Sequence, residues 1–493
     1  MKRHIASLLT FSLLLASCNF PQPTPFSPTP TLQPEPTNIP PNDRSIFASG
    51  LVSSERSVLN ELNGASIYHL EFTIADDLYH INGTEEVQYT NTEDVELNEV
   101  QFRLFPNILG GEMTISSLTV DGQSITPEYG LENSLMIVRL SAPLEVGKSI
   151  LLKMDYAVSV PQSVDLNYGV LAYYDDILAL AHAYPMICVF DDEGWNAEIP
   201  PQDGDVTYSD AAFYVVKVHA PKELTLVTSG STISLDEEDQ TQVLTAASGP
   251  ARDFYLAASP FFEKVSQTFG EVTINSYAPG DFQEGAQMAL EVASKAMAVF
   301  DERYAPYPYT ELDIVSTPTL ALGIEYPGMI AITTRIYESM GDTMEATVAH
   351  EVGHQWFYGL VGDDQLDDPW LDESLTQFAT LQYYADEYGN EGEEGFRSSL
   401  DGRWEYVQRA DIPIGLPVAG YQGAEYSAIV YGRGPLFFVA LREEMGTDTF
   451  DAFIKDYTQS LSWGIATPKY MQSLAEKYCS CNLQAIFDEW IYP

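Results

Sequence analysis

Cysteine, basic side chains and histidine are all scarce in this sequence. There are four cysteines in 493 residues. Cys479-Ser480-Cys481 is too small a set for a metal site without further ligands. Of Cys188, Cys479 and Cys481, an oxidising compartment could pair two and leave one over. The 23 lysines and arginines face 72 aspartates and glutamates, a formal net charge of −49. That balance argues against nucleic acid as a partner and against an electrostatic grip on anionic lipid. It suits an exposed protein that charge keeps soluble, or one that attracts cationic peptides. After the first residues no stretch is long and apolar enough for a transmembrane helix. Internal repeats are absent, and between about residues 60 and 260 helical periodicity is almost absent.

What is there divides the chain. Lys2, Arg3 and His4 precede a short apolar run over residues 5–16 that ends in Leu15-Ala16-Ser17-Cys18. The run is too short to span a bilayer. Small residues before a cysteine resemble a bacterial lipobox, in which residues 1–17 are removed and Cys18 becomes the lipidated first residue. The other reading is an ordinary signal peptide with an incidental cysteine. Residues 18–59 then form a Pro/Thr-rich tether, with nine prolines from Pro21 to Pro41; such a segment cannot bury a core. The expected location is extracytoplasmic, at the cell surface, held to the membrane by the lipid.

Over residues 60–263 apolar positions recur with period two. Tyr68, Leu70, Phe72 and Ile74 alternate with His69, Glu71 and Thr73, the signature of half-buried strands. Asp121-Gly122 is a hairpin signal, and residues 151–156 and 214–219 are further strands. An all-β, sandwich-like domain is expected. From 264 to 493 the period changes: Leu290, Ala293, Met297, Phe300 and Tyr304 mark a helix ahead of a strand at 312–316. Asp342 and Glu345 suggest a capping box for the next helix. Another helix is expected from Asp372 to Tyr388, stopping near Gly389-Asn390.

The strongest chemical signal is His350-Glu351-Val352-Gly353-His354. Histidines at i and i+4 share one helical face and can grip one metal ion. Glu351 points beside the metal, where a base for a metal-activated water belongs. A third histidine six residues on would mark one class of zinc protease, but that position is Leu360, and Phe357 replaces the glycine that class requires. Glu373, nineteen residues after His354, is instead reachable from an antiparallel helix. Two histidines and a carboxylate leave a position open, as catalytic zinc sites do.

Val348-Ala349-His350-Glu351-Val352-Gly353-His354-Gln355-Trp356-Phe357, followed by Trp370-Leu371-Asp372-Glu373-Ser374, resembles the aminopeptidase N family of gluzincins. Upstream, Leu322-Gly323-Ile324-Glu325-Tyr326 stands where that family has Gly-Ala-Met-Glu-Asn. Downstream, Ile429-Val430-Tyr431-Gly432-Arg433-Gly434 resembles the segment carrying its active-site tyrosine. Tyr184-Pro185 and Asp191-Asp192-Glu193-Gly194-Trp195 resemble its β-domain. The resemblance covers roughly residues 60–493, without the larger C-terminal helical domain of many members. It implies a thermolysin-like α+β, mostly helical catalytic domain and one Zn2+ held by His350, His354 and Glu373. It also implies Glu351 as base and acid, Tyr431 as oxyanion donor and Glu325 as the site for the substrate's α-amine. The implied activity is removal of N-terminal residues from peptides. Rivals are an endopeptidase of the same zinc class and a non-catalytic surface protein with the same fold. Asp372 replaces the family's asparagine and admits two readings, orienting a ligand histidine or capping a helix. Asp363, Asp364, Asp367 and Asp368 read as a solvated loop, with a second cation site as the alternative, and His69, His80, His182 and His219 read as satisfied structural groups.

Overall fold

The structure is a computed structural model that describes residues 42–201 and 204–492. Cys18 and the leader before it lie outside the described residues.

Alternation decides the first half. Along strand Ile67–Ile74, Tyr68, Leu70, Phe72 and Ile74 are buried while Thr73 faces solvent. The strand pairs antiparallel with His80–Thr90 and parallel with Ala212–Pro221, inside an eight-stranded sheet. A shift of one residue would turn this apolar row to water, which fixes the register. Two four-stranded sheets, one around Leu97–Arg103 and Leu135–Leu144 and one around Ile177–Ala181 and Tyr255–Ser259, share the sheet's apolar core. Asp121 and Gly122 both take left-handed backbone, φ 47° and 78°. They close the hairpin between Glu112–Val120 and Gln123–Ser124 as that dipeptide should.

The second half is α+β. A five-stranded sheet runs in the order Phe262–Phe269, Val272–Pro279, Glu311–Thr317, Met329–Thr333, Gly323–Tyr326, the last an antiparallel edge strand. Helix α1 (Gln283–Arg303) buries Ala286, Ala289, Leu290, Ala293, Ala296, Met297 and Phe300 on one stripe. After a short helix α2 (Thr334–Ser339), helix α3 (Asp342–Gly353) packs on α1 and on the edge strand. Trp356, fully buried, stacks edge-on against Phe300 at 5.6 Å and donates its indole N–H to the carbonyl of Ala305 at 2.7 Å. This anchors the chain just past the end of α3; truncating Phe300 would cost about 3–5 kcal/mol. Helix α4 (Leu375–Glu405) returns against α3.

Three local expectations are corrected. The tether ends well before residue 59, because Phe47, Leu51, Val52 and Val58 are buried in the fold. Asp342 does not cap α3: Gly341, at φ 116°, occupies the N-cap, and no side chain accepts a cap hydrogen bond. Glu345 is drawn instead to the hydroxyls of Tyr383 and Tyr388. Nor does α4 stop at Gly389; that residue, at φ 64°, kinks it and the helix resumes to Glu405. Cys479 and Cys481 form a disulfide, and Cys188 is free and buried.

Candidate metal centre and its cleft

His350 lies in the last turn of α3, and His354 continues the helical conformation as its C-cap. Their Nε2 atoms are 3.1 Å apart, and the Oε2 of Glu373 lies 3.1 Å from the first and 3.3 Å from the second. Four ligands at about 2.0–2.1 Å around one tetrahedral ion are separated by roughly 3.3–3.4 Å. The three atoms therefore stand close to the edges of such a tetrahedron. The donor set fits in chemistry as well. The Nδ1 of His354 donates to the carbonyl of Phe357 at 2.9 Å, which turns Nε2 toward His350 and Glu373. Burial pushes His350 down to about 4, keeping it neutral. Burial opposes ionisation of Glu373, yet His354 and His350 hold it well below the usual carboxylate range. His350, His354 and Glu373 thus suit a divalent metal of the zinc type.

Two π-helical turns build the far side. Glu373 sits in the turn Trp370–Ser374 and Tyr431 in the turn Ile429–Arg433. Such turns occur mostly as single insertions in helices, often at functional sites. They are locked together: the hydroxyl of Ser374 donates to the carbonyl of Val430 at 2.6 Å, in space that exists only because residue 434 is glycine. Across this contact the Tyr431 hydroxyl donates to the Oε1 of Glu373.

The near side is the edge strand. Glu351 is buried, and its carboxylate lies against Gly323, where a Cβ would come within 2.4 Å of Oε1. Glycine there lets the strand approach the metal helix. Glu325, Glu351 and His354 bring ligand atoms within 4.8 Å of one another. Glu325 is buried at the strand edge rather than exposed. Burial first, then the charge of Glu373, push it up to about 7, against the pull of His354. Burial also raises Glu351 well above the usual range. His354 is raised despite burial, by the charges of Glu325 and Glu373.

Some residues at the site carried no sequence signal. Gln365 donates to Glu325 Oε1 at 3.0 Å and to Asp372 Oδ2 at 2.9 Å, and accepts from the Thr207 N–H at 3.2 Å. Asp205, on a loop of the β-rich half, titrates far above normal through burial and the charges of Glu325 and Glu373. Arg252, buried, donates to the carbonyls of Ser209, Tyr358 and Leu360, and to that of Gly464. It ties the β-rich half to the segment after the metal helix, where Tyr358 is held at φ 119°. Asp205 and Arg252 lie far from any motif in sequence, and Gln365 lies between the two metal motifs at a spacing that carries no signal. Two expectations are corrected. Asp372 neither touches a ligand histidine nor caps a helix, since it lies inside the turn Trp370–Ser374; its oxygens take the Gln365 amide and the Glu373 N–H. Asp363 is not solvated but buried, with both oxygens unpartnered, and the acidic loop forms no further metal-ligating group among the described residues. His182 does serve structure, bonding Asp253 at 3.1 Å, though it also lines the cleft.

The centre opens on a cleft of about 1580 Å³. One wall comes from the β-rich half, with Leu166 and Asp205; another is the edge strand with Leu322 and Glu325; a third is the second half of α4.

Residues 288–490 match the model of the peptidase family M1 domain. The chain is 23% identical over 475 residues to aminopeptidase 2 of Candida albicans, covering 90% of this chain and 48% of that one. It is 26% identical over 307 residues to a probable aminopeptidase 2 of Sulfurisphaera tokodaii, covering 57% and 38%. The chain thus spans about half or less of these relatives. An M1 zinc metallopeptidase from Deinococcus radiodurans has the same fold, with TM-score 0.64 at 18% identity, over 87% of this chain and 94% of that one. A mutant of that protein is described bound to a Tyr-Ser-Ala substrate.

Proposed function

We propose that this chain, whose residues 288–490 match the peptidase family M1 domain, is a zinc-dependent aminopeptidase. The observation that carries this reading is the pairing of the His350–His354–Glu373 cluster with a buried carboxylate, Glu325, in the same cleft. A hydrolase without terminal selectivity has no physical need for a second desolvated acid beside the metal ligands; an α-ammonium group gives it a partner.

His350, His354 and Glu373 would hold a zinc ion, which would supply Lewis acidity toward the scissile carbonyl and a water. Glu351 takes the proton of the attacking water and passes it to the leaving amine. The hydroxyl of Tyr431, already within reach of the ligand Glu373, donates to the oxyanion as it develops. Glu325, oriented by Gln365, accepts from the substrate's α-ammonium, and Asp205 adds charge from the facing loop. Leu322 and Leu166, both exposed at the cleft rim, offer apolar contact to the first side chain. The reading extends to location: residues 1–18 supply a lipobox-like signal, so the enzyme works outside the cytoplasm on a lipid tether at Cys18.

Glu325→Gln tests the terminal selectivity. It should cut kcat/KM on unblocked aminoacyl substrates by about 10–100-fold, the loss of a charge-assisted hydrogen bond, with N-acetylated peptides uncut throughout. Efficient cleavage of N-acetylated peptides by the wild type would point to an endopeptidase instead.

A further inference from the structure

Arg403 is anomalous. The cleft is lined by acids, among them Asp205, Glu325, Glu345 and Glu391, and Arg403 is its one arginine or lysine among the described residues. In a chain with 72 acids a guanidinium should find a carboxylate easily, yet no ion pair to Arg403 is present among the described residues. Its contact is with a ring: its Cζ lies 5.5 Å from the centroid of Tyr431. It stands near the end of α4, on the stripe that Gly392, Phe396 and Ser399 turn to the cleft. Gly432 packs against its stem, where a Cβ would come within 3.0 Å of the Arg403 Cβ. The head group is thus held at the cleft wall with its charge unused.

The placement has a direction. Tyr431 stands 6.0 Å, ring to ring, from His350, whereas Glu325 groups with Glu351 and His354. The acid and the cation therefore flank different histidines of the metal pair. A peptide bound with its α-ammonium at Glu325 and its scissile carbonyl between Glu351 and Tyr431 runs on toward Arg403. An extended residue spans about 3.3–3.6 Å. One or two residues beyond the scissile bond bring a terminal carboxylate into the neighbourhood of the guanidinium, which binds carboxylates in bidentate fashion.

We propose that Arg403 binds the C-terminal carboxylate of short substrates, making this enzyme selective for di- and tripeptides with free carboxyl ends. This rests on the aminopeptidase reading, and it makes the cleft a two-ended electrostatic gauge for zwitterions. Long peptides, whose carboxylate lies beyond reach, lose the contact.

The test compares Ala-Ala and Ala-Ala-Ala with their C-terminal amides in the wild type, Arg403→Met and Arg403→Lys. The wild type should favour the acids by about tenfold or more in kcat/KM, mainly through KM. Arg403→Met should bring the acid-to-amide ratio near one, and Arg403→Lys should keep part of it. Loss of the Tyr431 contact would lower acids and amides alike, so the ratio isolates carboxylate binding. A ratio of one in the wild type, or one that survives Arg403→Met, overturns the proposal. So does a variant that changes the preference for Ala-Asp-amide over Ala-Ala-amide while leaving the terminal ratio intact, since that marks a side-chain pocket. Alanine p-nitroanilide, which has no carboxylate, reports the aminopeptidase reading separately: no cleavage of it by the wild type sinks that reading, whatever the ratio.

Discussion

Gly434→Ala is the sharpest test of how the site is held. Helical propensity alone favours the change by about 1 kcal/mol. The surroundings reverse that sign. The new Cβ would stand 1.9 Å from the Ser374 hydroxyl oxygen and 2.6 Å from its Cβ. Carbon atoms pack at about 3.5–4.0 Å, so rotating the hydroxyl away is not enough and the two π-turns must part by about 1 Å. Overpacking of this kind costs about 1–3 kcal/mol. Loss of the Ser374 bond to the Val430 carbonyl adds about 1 kcal/mol. The net destabilisation is then about 1–3 kcal/mol after the propensity gain. Because one turn carries Glu373 and the other Tyr431, the same displacement should lower kcat on the order of 10²-fold. The assay is a double-mutant cycle with Ser374→Gly, read by thermal midpoint and by kcat on an aminoacyl amide. Ser374→Gly should relieve much of the loss in the Gly434→Ala background, a coupling absent between independent sites. A neutral or stabilising Gly434→Ala, or no relief, would refute the steric argument.

Three further outcomes are expected. Glu85 is buried in the β-rich core with neither oxygen partnered, and burial raises its folded pKa. Its neutral form is tolerated near the unfolded value of about 4.3, and stability falls as pH rises from there toward the folded value. Glu85→Met should therefore stabilise the fold more at pH 8 than at pH 5, by about 1–3 kcal/mol at the higher pH, as read by thermal unfolding; an equal gain at both would contradict the titration. Arg252→Met should cost about 3–5 kcal/mol, since it strips donors from buried carbonyls in both halves; melting followed by circular dichroism checks it, and an unchanged midpoint would deny the tie. Removing metal with a chelator should lower the midpoint and abolish hydrolysis, and added zinc should restore both. The gain is about 4 kcal/mol at a thousand times Kd, and a midpoint indifferent to chelation would contradict the assignment of the cluster.

The strand half was legible because burial on one face imposes a period that the sequence displays: Tyr68 to Ile74 read as a strand and pack as one. The helical pair His350 and His354 was legible for the same reason, and Glu373 by elimination of a third histidine. What failed were local rules overridden by packing. Asp342 lost the cap because Gly341 takes it in a backbone conformation glycine permits, and Glu345 found two tyrosine hydroxyls. Gly389 bends α4 without ending it, because the residues beyond it pack back along the cleft. Asp372 turned to Gln365, a partner in the loop before it. Asp205, Gln365 and Arg252 meet the site only through the fold, so nothing in their neighbours announces them. The π-turns are equally hidden, since one inserted residue leaves no change of period that a single sequence can show.

The most direct measurement pairs bound zinc with turnover in the wild type and Glu351→Gln. Glutamine keeps the size of the side chain against Gly323 but cannot take a proton. The variant should hold one zinc per chain, as the wild type does, and lose aminoacyl amide hydrolysis by several orders of magnitude. Equal turnover in the two proteins, or a wild type that binds no zinc, would contradict a zinc peptidase built on His350, His354 and Glu373 with Glu351 as its base.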